Sequence, residues 1–199
     1  MKIKDNNNQL IDIDITFGDY VIDCGANVGD VTNTFFSHGA NVIAFEPNPY
    51  AFRVLNERFQ NISRVKCINK GVAGKKDCGI KKLFLHEKSV DNRVMYSTGC
   101  SIISDKNNVN EETYVEVEMI DLSKFIKLFN KKIKVLKIDI EGAEVELLND
   151  LLDSGVIKDI PYVFVETHEM KIPTLRESTD KLRERIKIEN CNNINLNWI

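Results

Sequence analysis

Three acid-bearing stretches, each following a short apolar run, are the residues best suited to chemistry. Tyr20-Val-Ile-Asp-Cys-Gly-Ala-Asn-Val-Gly29 runs from an apolar segment through Asp23 into a glycine turn. Asn41-Val-Ile-Ala-Phe-Glu46 ends in a second acid, and Ile133-Lys-Val-Leu-Lys-Ile-Asp-Ile-Glu141 ends in two more. A strand, a tight turn and a helix N-terminus in that order form a crevice suited to a nucleotide-bearing cofactor. The turn carries Gly25 and Gly29, but Asn27 stands where a dinucleotide fingerprint has its second glycine. That glycine lets backbone approach a pyrophosphate. A ligand with an adenosine and no pyrophosphate does not need it, and S-adenosylmethionine is such a ligand.

Glu46 lies twenty-one residues after Gly25, where an acid accepting both ribose hydroxyls is expected. A solvated glutamate that caps the Asn48 region is the plainer reading. The position directly after Val42-Ile-Ala-Phe45 favours the ribose. Asp23 would orient the loop and the amino end of the cofactor's methionine, or only brace backbone amides. Asp139 and Glu141, two residues apart, suit a cation, an acceptor hydroxyl or proton transfer. Glu141 would otherwise be a first-turn helix acid, favourable with the macrodipole. His168 ends the last apolar run, Tyr162–Val165, and is a candidate general base near neutral pH. No role falls to His38 or His86. No metal ligands are assigned, and a divalent metal requirement is left open.

These residues need a scaffold that brings strand ends together. Short apolar runs alternate with helical patterns, the signature of βαβ units and a parallel sheet. The strands expected are Tyr20–Cys24, Asn41–Phe45, Val65–Asn69, Ile133–Ile138 and Tyr162–Val165, with Lys81–His86 and Tyr114–Met119 as further strands. Helices are expected over 28–38, after Asn48-Pro49, from Gly142 to about Leu152, and from a Thr174-Leu-Arg-Glu177 capping box to Ile188. Lys2–Ile15 reads as a strand or hairpin extension, and Asn193–Ile199 as one closing strand. Ser89–Asn110 is polar and without periodicity, in the manner of a lid or binding loop.

The bulk properties bound the function. A chain of 199 residues fits one domain with a substantial core. A net charge of −3 argues against a nucleic-acid partner, since a phosphate-binding face raises the charge. No run approaches the roughly 20 apolar residues of a membrane span, and Met1-Lys-Ile-Lys-Asp-Asn-Asn-Asn has no signal-peptide core. The cytoplasm is the expected compartment. The five cysteines are scattered without a C-x-x-C pair and read as reduced, mostly buried thiols.

At these residues the chain resembles the FkbM family of S-adenosylmethionine-dependent methyltransferases. The matching stretches are Val21–Gly29, Val42–Pro49, Gly71-Val-Ala73, Val135–Glu144 and Val163–Glu166, with Lys137-Ile-Asp-Ile-Glu-Gly-Ala-Glu144 the most specific. The resemblance implies a class I methyltransferase fold: an α/β three-layer sandwich on a mostly parallel seven-stranded sheet with a reversed last strand, here with its final hairpin shortened. It implies that Gly25, Ala26, Asn27 and Gly29 hold the methionine end, Glu46 the ribose, and Gly71, Val72 and Ala73 the neighbourhood of the adenine. Members typically methylate hydroxyls of sugars or secondary metabolites, so the partner expected is a small-molecule or glycan acceptor. An NAD(P)-dependent oxidoreductase is disfavoured by Asn27 and the lack of an evident Tyr-Lys pair. A non-catalytic binding domain with a degenerate site is the third reading. The oligomeric state is not read from the sequence.

Overall fold

The computed structural model describes residues 1–4, 9–104, 106 and 108–198. An N-terminal hairpin pairs β1 (Lys2–Lys4) with β2 (Leu10–Asp12), as the extension was expected to do. Then follow β3 (Tyr20–Cys24), α1 (Asp30–Ser37), β4 (Asn41–Phe45), α2 (Pro49–Phe59) and β5 (Val65–Ile68). The middle of the chain gives β6 (Gly71–Ala73), β7 (Gly79–His86), β8 (Val109–Asp121) and α3 (Leu122–Leu128). The last part gives β9 (Ile133–Ile138), α4 (Glu144–Asp153), β10 (Tyr162–Val165), α5 (Arg176–Ile188) and β11 (Ile194–Asn195).

The central sheet has six strands in the order β11-β10-β9-β3-β4-β5, every pair parallel. Its strands are near-continuous apolar runs because both faces are covered. Alternate residues serve opposite faces: Ile22, Ile43, Leu136 and Val163 join the core beneath α3, α4 and α5. Val21, Val42, Val135 and Phe164 join the core beneath α1 and α2, with Phe35, Leu55 and Phe59. α4 buries Leu147, Leu148, Leu151 and Leu152, each contributing about 1.5–3 kcal/mol by transfer from water. α2 starts as its sequence requires: Asn48 accepts from the Tyr50 amide at 3.0 Å and Pro49 occupies the first turn.

Four expectations are corrected. Among the described residues the sheet has six strands rather than seven, and its last strand is not reversed. The α5 crossover returns the chain to the starting end of the sheet, so β11 runs parallel to β10. The closing strand is only Ile194–Asn195, and Ile199 lies outside the described residues. The Thr174 capping box does not form, because Pro173–Leu175 is a tight turn and α5 starts after Leu175 with no side-chain cap. Among its described residues, the 89–110 segment contains the turn Ser97–Gly99 and a bridge from Ser101 to Phe84. Asp105 and Asn107 lie outside the described residues.

β6, β8 and β7 form a second sheet, with β6 parallel and β7 antiparallel to β8. In the central sheet the order reverses at β3, whose neighbours are β4 on one side and β9 on the other. Ligands of open α/β sheets bind beyond the strand ends at such a switch point.

Candidate active site

The turn after β3 is fixed by backbone geometry. Gly25, Asn27 and Gly29 have φ of +76°, +49° and +93°, a region open to glycine and tolerated by asparagine. The amides of Gly25 and Ala26 both donate to the Phe45 carbonyl, at 3.0 and 2.9 Å, so the turn hangs from the end of β4. Gly25 is required by its neighbour: a Cβ there would stand 1.8 Å from the Asp139 carbonyl oxygen. Gly29 serves packing, since a Cβ would meet Phe59 at 2.6 Å and Leu55 at 2.7 Å.

A cleft opens at this end of the sheet. Gly25, Asn27, Glu46, Gly71 and Val72 line it from the strand ends. Asp139 and Glu141 line it from the β9 side. Ser97, Cys100 and Ile102 cover it from the 89–110 segment. Asn27 Nδ2 donates to Ser97 Oγ at 2.9 Å, and Asn48 Nδ2 lies 3.4 Å from Cys100 Sγ, which ties the cover to the turn and to α2.

Four of the residues expected to touch a cofactor do not line this cleft. Ala26 is buried within the core under α1 and α2. Gly29 faces α2, as above. Ala73 lines a neighbouring depression together with Lys81, Lys82 and Val145. Asp23 is fully buried, accepts from Thr32 Oγ1 at 2.6 Å and lies 3.3 Å from Lys137 Nζ. Its carboxylate therefore braces the interior instead of reaching the cleft.

Glu46 is 5% exposed, so it is not a solvated cap. Oε2 accepts from the Asn27 amide and Oε1 from the Asn48 amide, each at 2.8 Å. Burial pushes its carboxyl up to about 7, against the opposing pull of those amides and of Lys137. A carboxylate offers about four lone-pair sites, so two remain for donors entering from the cleft.

Lys137 was missed as a functional residue, although its place within Val135-Leu-Lys-Ile138 carries a signal. A lysine in a strand buried on both faces needs carboxylates beside it. Its Nζ donates to the Gly25 carbonyl at 2.9 Å and lies 3.3 Å from Asp23 and 3.5 Å from Asp139. Burial alone would lower its pKa, but Asp23 and Asp139 outweigh it and raise the pKa, so the ammonium stays charged. Burial in turn raises Asp139 to about 6, although Lys137 acts the other way.

Glu141 is not a helix acid. It sits in the loop before α4 with φ of +59°, and Glu144 takes the first-turn position. Its Oε2 pairs with Lys106 Nζ from the covering segment and lies 3.3 Å from His168 Nε2. Burial would raise its carboxyl; His168 and Lys106 outweigh that and lower it.

The expectation of His168 as a general base is corrected. Its side chain is sealed behind Asp139 and Glu141, away from the cleft lining. Nδ1 lies 3.0 Å from Glu144 Oε1, and that carboxylate accepts from the amides of Ile140 and Gly142. Burial would lower the imidazole's pKa, but Glu141 and Glu144 outweigh it and push it up to about 10.

The chain matches a model of the methyltransferase FkbM domain over residues 23–194. It is 28% identical over 160 residues to Methyltransferase 1 of Beauveria bassiana (strain ARSEF 2860), covering 70% of this chain and 64% of the relative. A stretch of 66 residues is 33% identical to the chloroplastic ribosomal RNA small subunit methyltransferase of Arabidopsis thaliana, covering 33% of this chain and 19% of that protein. The chain thus spans less than two thirds of the length of these curated relatives. No solved structure matches it. Among the described residues, no helix is long and apolar enough to cross a membrane.

Proposed function

Since this chain belongs to the FkbM family of methyltransferases, we propose that it binds S-adenosylmethionine in the cleft beyond β3 and β4 and methylates a hydroxyl of a sugar or small metabolite. The observation that carries this reading is Glu46, a buried carboxylate on the cleft wall with two lone-pair sites unused by Asn27 and Asn48. Two ribose hydroxyls are donors of the right number. Asn27 in the left-handed turn supports a cofactor without pyrophosphate. In this reading Gly25 and Asn27 border the methionine end, and Gly71 and Val72 the adenine.

When bound, the cofactor supplies a methyl group on a sulfonium, already activated for transfer. Transfer of that methyl to an acceptor oxygen would release S-adenosylhomocysteine and the hydroxyl proton. The chain's own work is alignment, water exclusion and proton removal. Asp139 lines the cleft and receives the hydroxyl proton, and its raised pKa makes it a better base than an ordinary carboxylate. The segment bearing Ser97 and Cys100 covers the reacting end. The Arabidopsis relative's name points to RNA, but a net charge of −3 favours a small or glycan acceptor here.

A thermal-shift panel tests the cofactor. S-adenosylmethionine or S-adenosylhomocysteine at about 100 times its dissociation constant should add about 2.7 kcal/mol of stability. Stabilisation by NAD and by neither methionine-derived ligand overturns the reading in favour of an oxidoreductase. Binding of S-adenosylmethionine with no methyl transferred to any hydroxyl acceptor in a sugar and metabolite panel would favour a binding domain.

A further inference from the structure

Behind the cleft wall, the ends of β9 and β10 and the first turn of α4 gather an unusual set of charges. Asp139 Oδ1, Glu141 Oε2 and Glu166 Oε1 lie 3.8, 3.3 and 3.6 Å from one atom, His168 Nε2. That nitrogen is fully enclosed, and no partner is aligned to hydrogen-bond with it. Asp139 Oδ1 is likewise enclosed without a hydrogen-bond partner. His168 Nδ1 is a third buried atom here with no aligned hydrogen bond, and buried polar atoms left so are costly unless something completes their contacts.

Charge makes the same point. The connected set contains the carboxylates of Asp23, Asp139, Glu141, Glu144 and Glu166. The lysines paired with them are Lys137, Lys106 and Lys171. Five carboxylates against three ammonium groups leave two negative charges. A divalent cation among them would balance both.

We propose that Asp139, Glu141 and His168 form a divalent-cation site at the rear edge of the cleft, with Glu144 orienting the histidine from outside. Single ligand atoms of these three residues lie within 4.8 Å of one another, close to the spread that one ion at about 2.2 Å from each ligand requires. A ligating histidine usually gives its second nitrogen to a carboxylate, which fixes the ring and the tautomer. Glu144 Oε1 lies 3.0 Å from Nδ1, within reach for that task though not aligned as a hydrogen bond here, and is itself held by the amides of Ile140 and Gly142. Two carboxylates and one imidazole, with no thiolate, suit Mn²⁺ better than the all-oxygen-seeking Mg²⁺. Asp139 and Glu141 also line the cleft, so the open positions of the ion would face it.

The site stands on its own geometry, but its use rests on the methyl-transfer reading. There the ion would bind the acceptor hydroxyl and make it more acidic. Glu141 ties the site to the covering segment, because Lys106 of that segment pairs with it.

The test is Mn²⁺ binding to the full chain after treatment with EDTA, read by electron paramagnetic resonance, alongside calorimetry of S-adenosylhomocysteine in EDTA. One Mn²⁺ per chain is expected. Asp139→Asn and Glu141→Gln should each weaken Mn²⁺ by at least about tenfold, and Glu144→Gln by about 10–100-fold as an outer-shell change. Circular dichroism melting establishes that each variant is folded. No stoichiometric Mn²⁺ on the wild-type chain at about 1 mM, the weak end of protein cation sites, overturns the proposal. So does Mn²⁺ binding that neither Asp139→Asn nor Glu141→Gln changes. Mn²⁺ bound without S-adenosylhomocysteine binding would uphold the site and count against the methyl-transfer reading alone.

Discussion

Gly25 and Asp139 are in direct backbone contact across the mouth of the sheet. A Cβ on Gly25 would stand 1.8 Å from the Asp139 carbonyl oxygen, and Lys137 Nζ bonds the Gly25 carbonyl from the other side at 2.9 Å. The turn after β3 and the end of β9 are therefore tied together. In the proposed reaction this sets the distance between the cofactor's methyl group and the group that handles the acceptor proton.

Gly25→Ala should destabilise the fold even before any ligand is added. The residue holds φ of +76°, and the methyl would overlap backbone rather than a movable side chain. The left-handed strain alone costs about 1–3 kcal/mol. Urea unfolding should show a midpoint well below wild type, and an unchanged midpoint would mean the two strand ends are not in contact.

Lys137→Met keeps the length of the side chain and removes its charge. Asp23 would then be a fully buried carboxylate facing Thr32 alone. Breaking a buried pair from one side costs about 3–5 kcal/mol. The double variant Lys137→Met with Asp23→Asn should recover part of that loss, measured as a double-mutant cycle; no coupling between the two positions would refute the pairing.

Glu46 should give cofactor affinity a pH dependence. Burial holds its carboxyl near 7 in the free protein. The folded chain therefore keeps a proton that the unfolded chain releases, so this contribution to stability is complete below about pH 4.5 and disappears as pH rises through 7. Ribose hydroxyls favour the charged form, so affinity should climb up to about tenfold per pH unit below 7 and level off above it. Glu46→Ala should weaken binding and abolish the slope in calorimetry. A slope that survives the substitution would assign it elsewhere.

Asp139→Asn retains shape and loses charge and basicity. Turnover should fall at least about 10²-fold, the lower range for a general base. The dissociation constant for S-adenosylhomocysteine should stay within about threefold, since Glu46 and the turn carry that binding. Equal losses in turnover and cofactor affinity would place Asp139 in cofactor binding instead.

Much of the scaffold was legible in the residues. The apolar runs at Tyr20–Cys24, Asn41–Phe45, Ile133–Ile138 and Tyr162–Val165 are strands at those same bounds. A parallel strand buried on both faces leaves an unbroken apolar signature, and glycine, asparagine and proline mark its ends. The strand-end acids followed from the same local pattern, and both Glu46 and Asp139 line the cleft. The sequence by itself thus determined the class of fold and the edge of the sheet where the cleft lies. Only the tertiary structure decided which strand-end residues open into that cleft. His168 and Asp23 are sealed, Gly29 serves helix packing, and Lys137 is the cation that joins two strands. Those assignments depend on pairing residues far apart in the chain, more than a hundred positions for Lys137 with Asp23. Local propensity carries no information about such pairs. Electrostatics across a low-dielectric core does, and it acts only once the strands stand side by side.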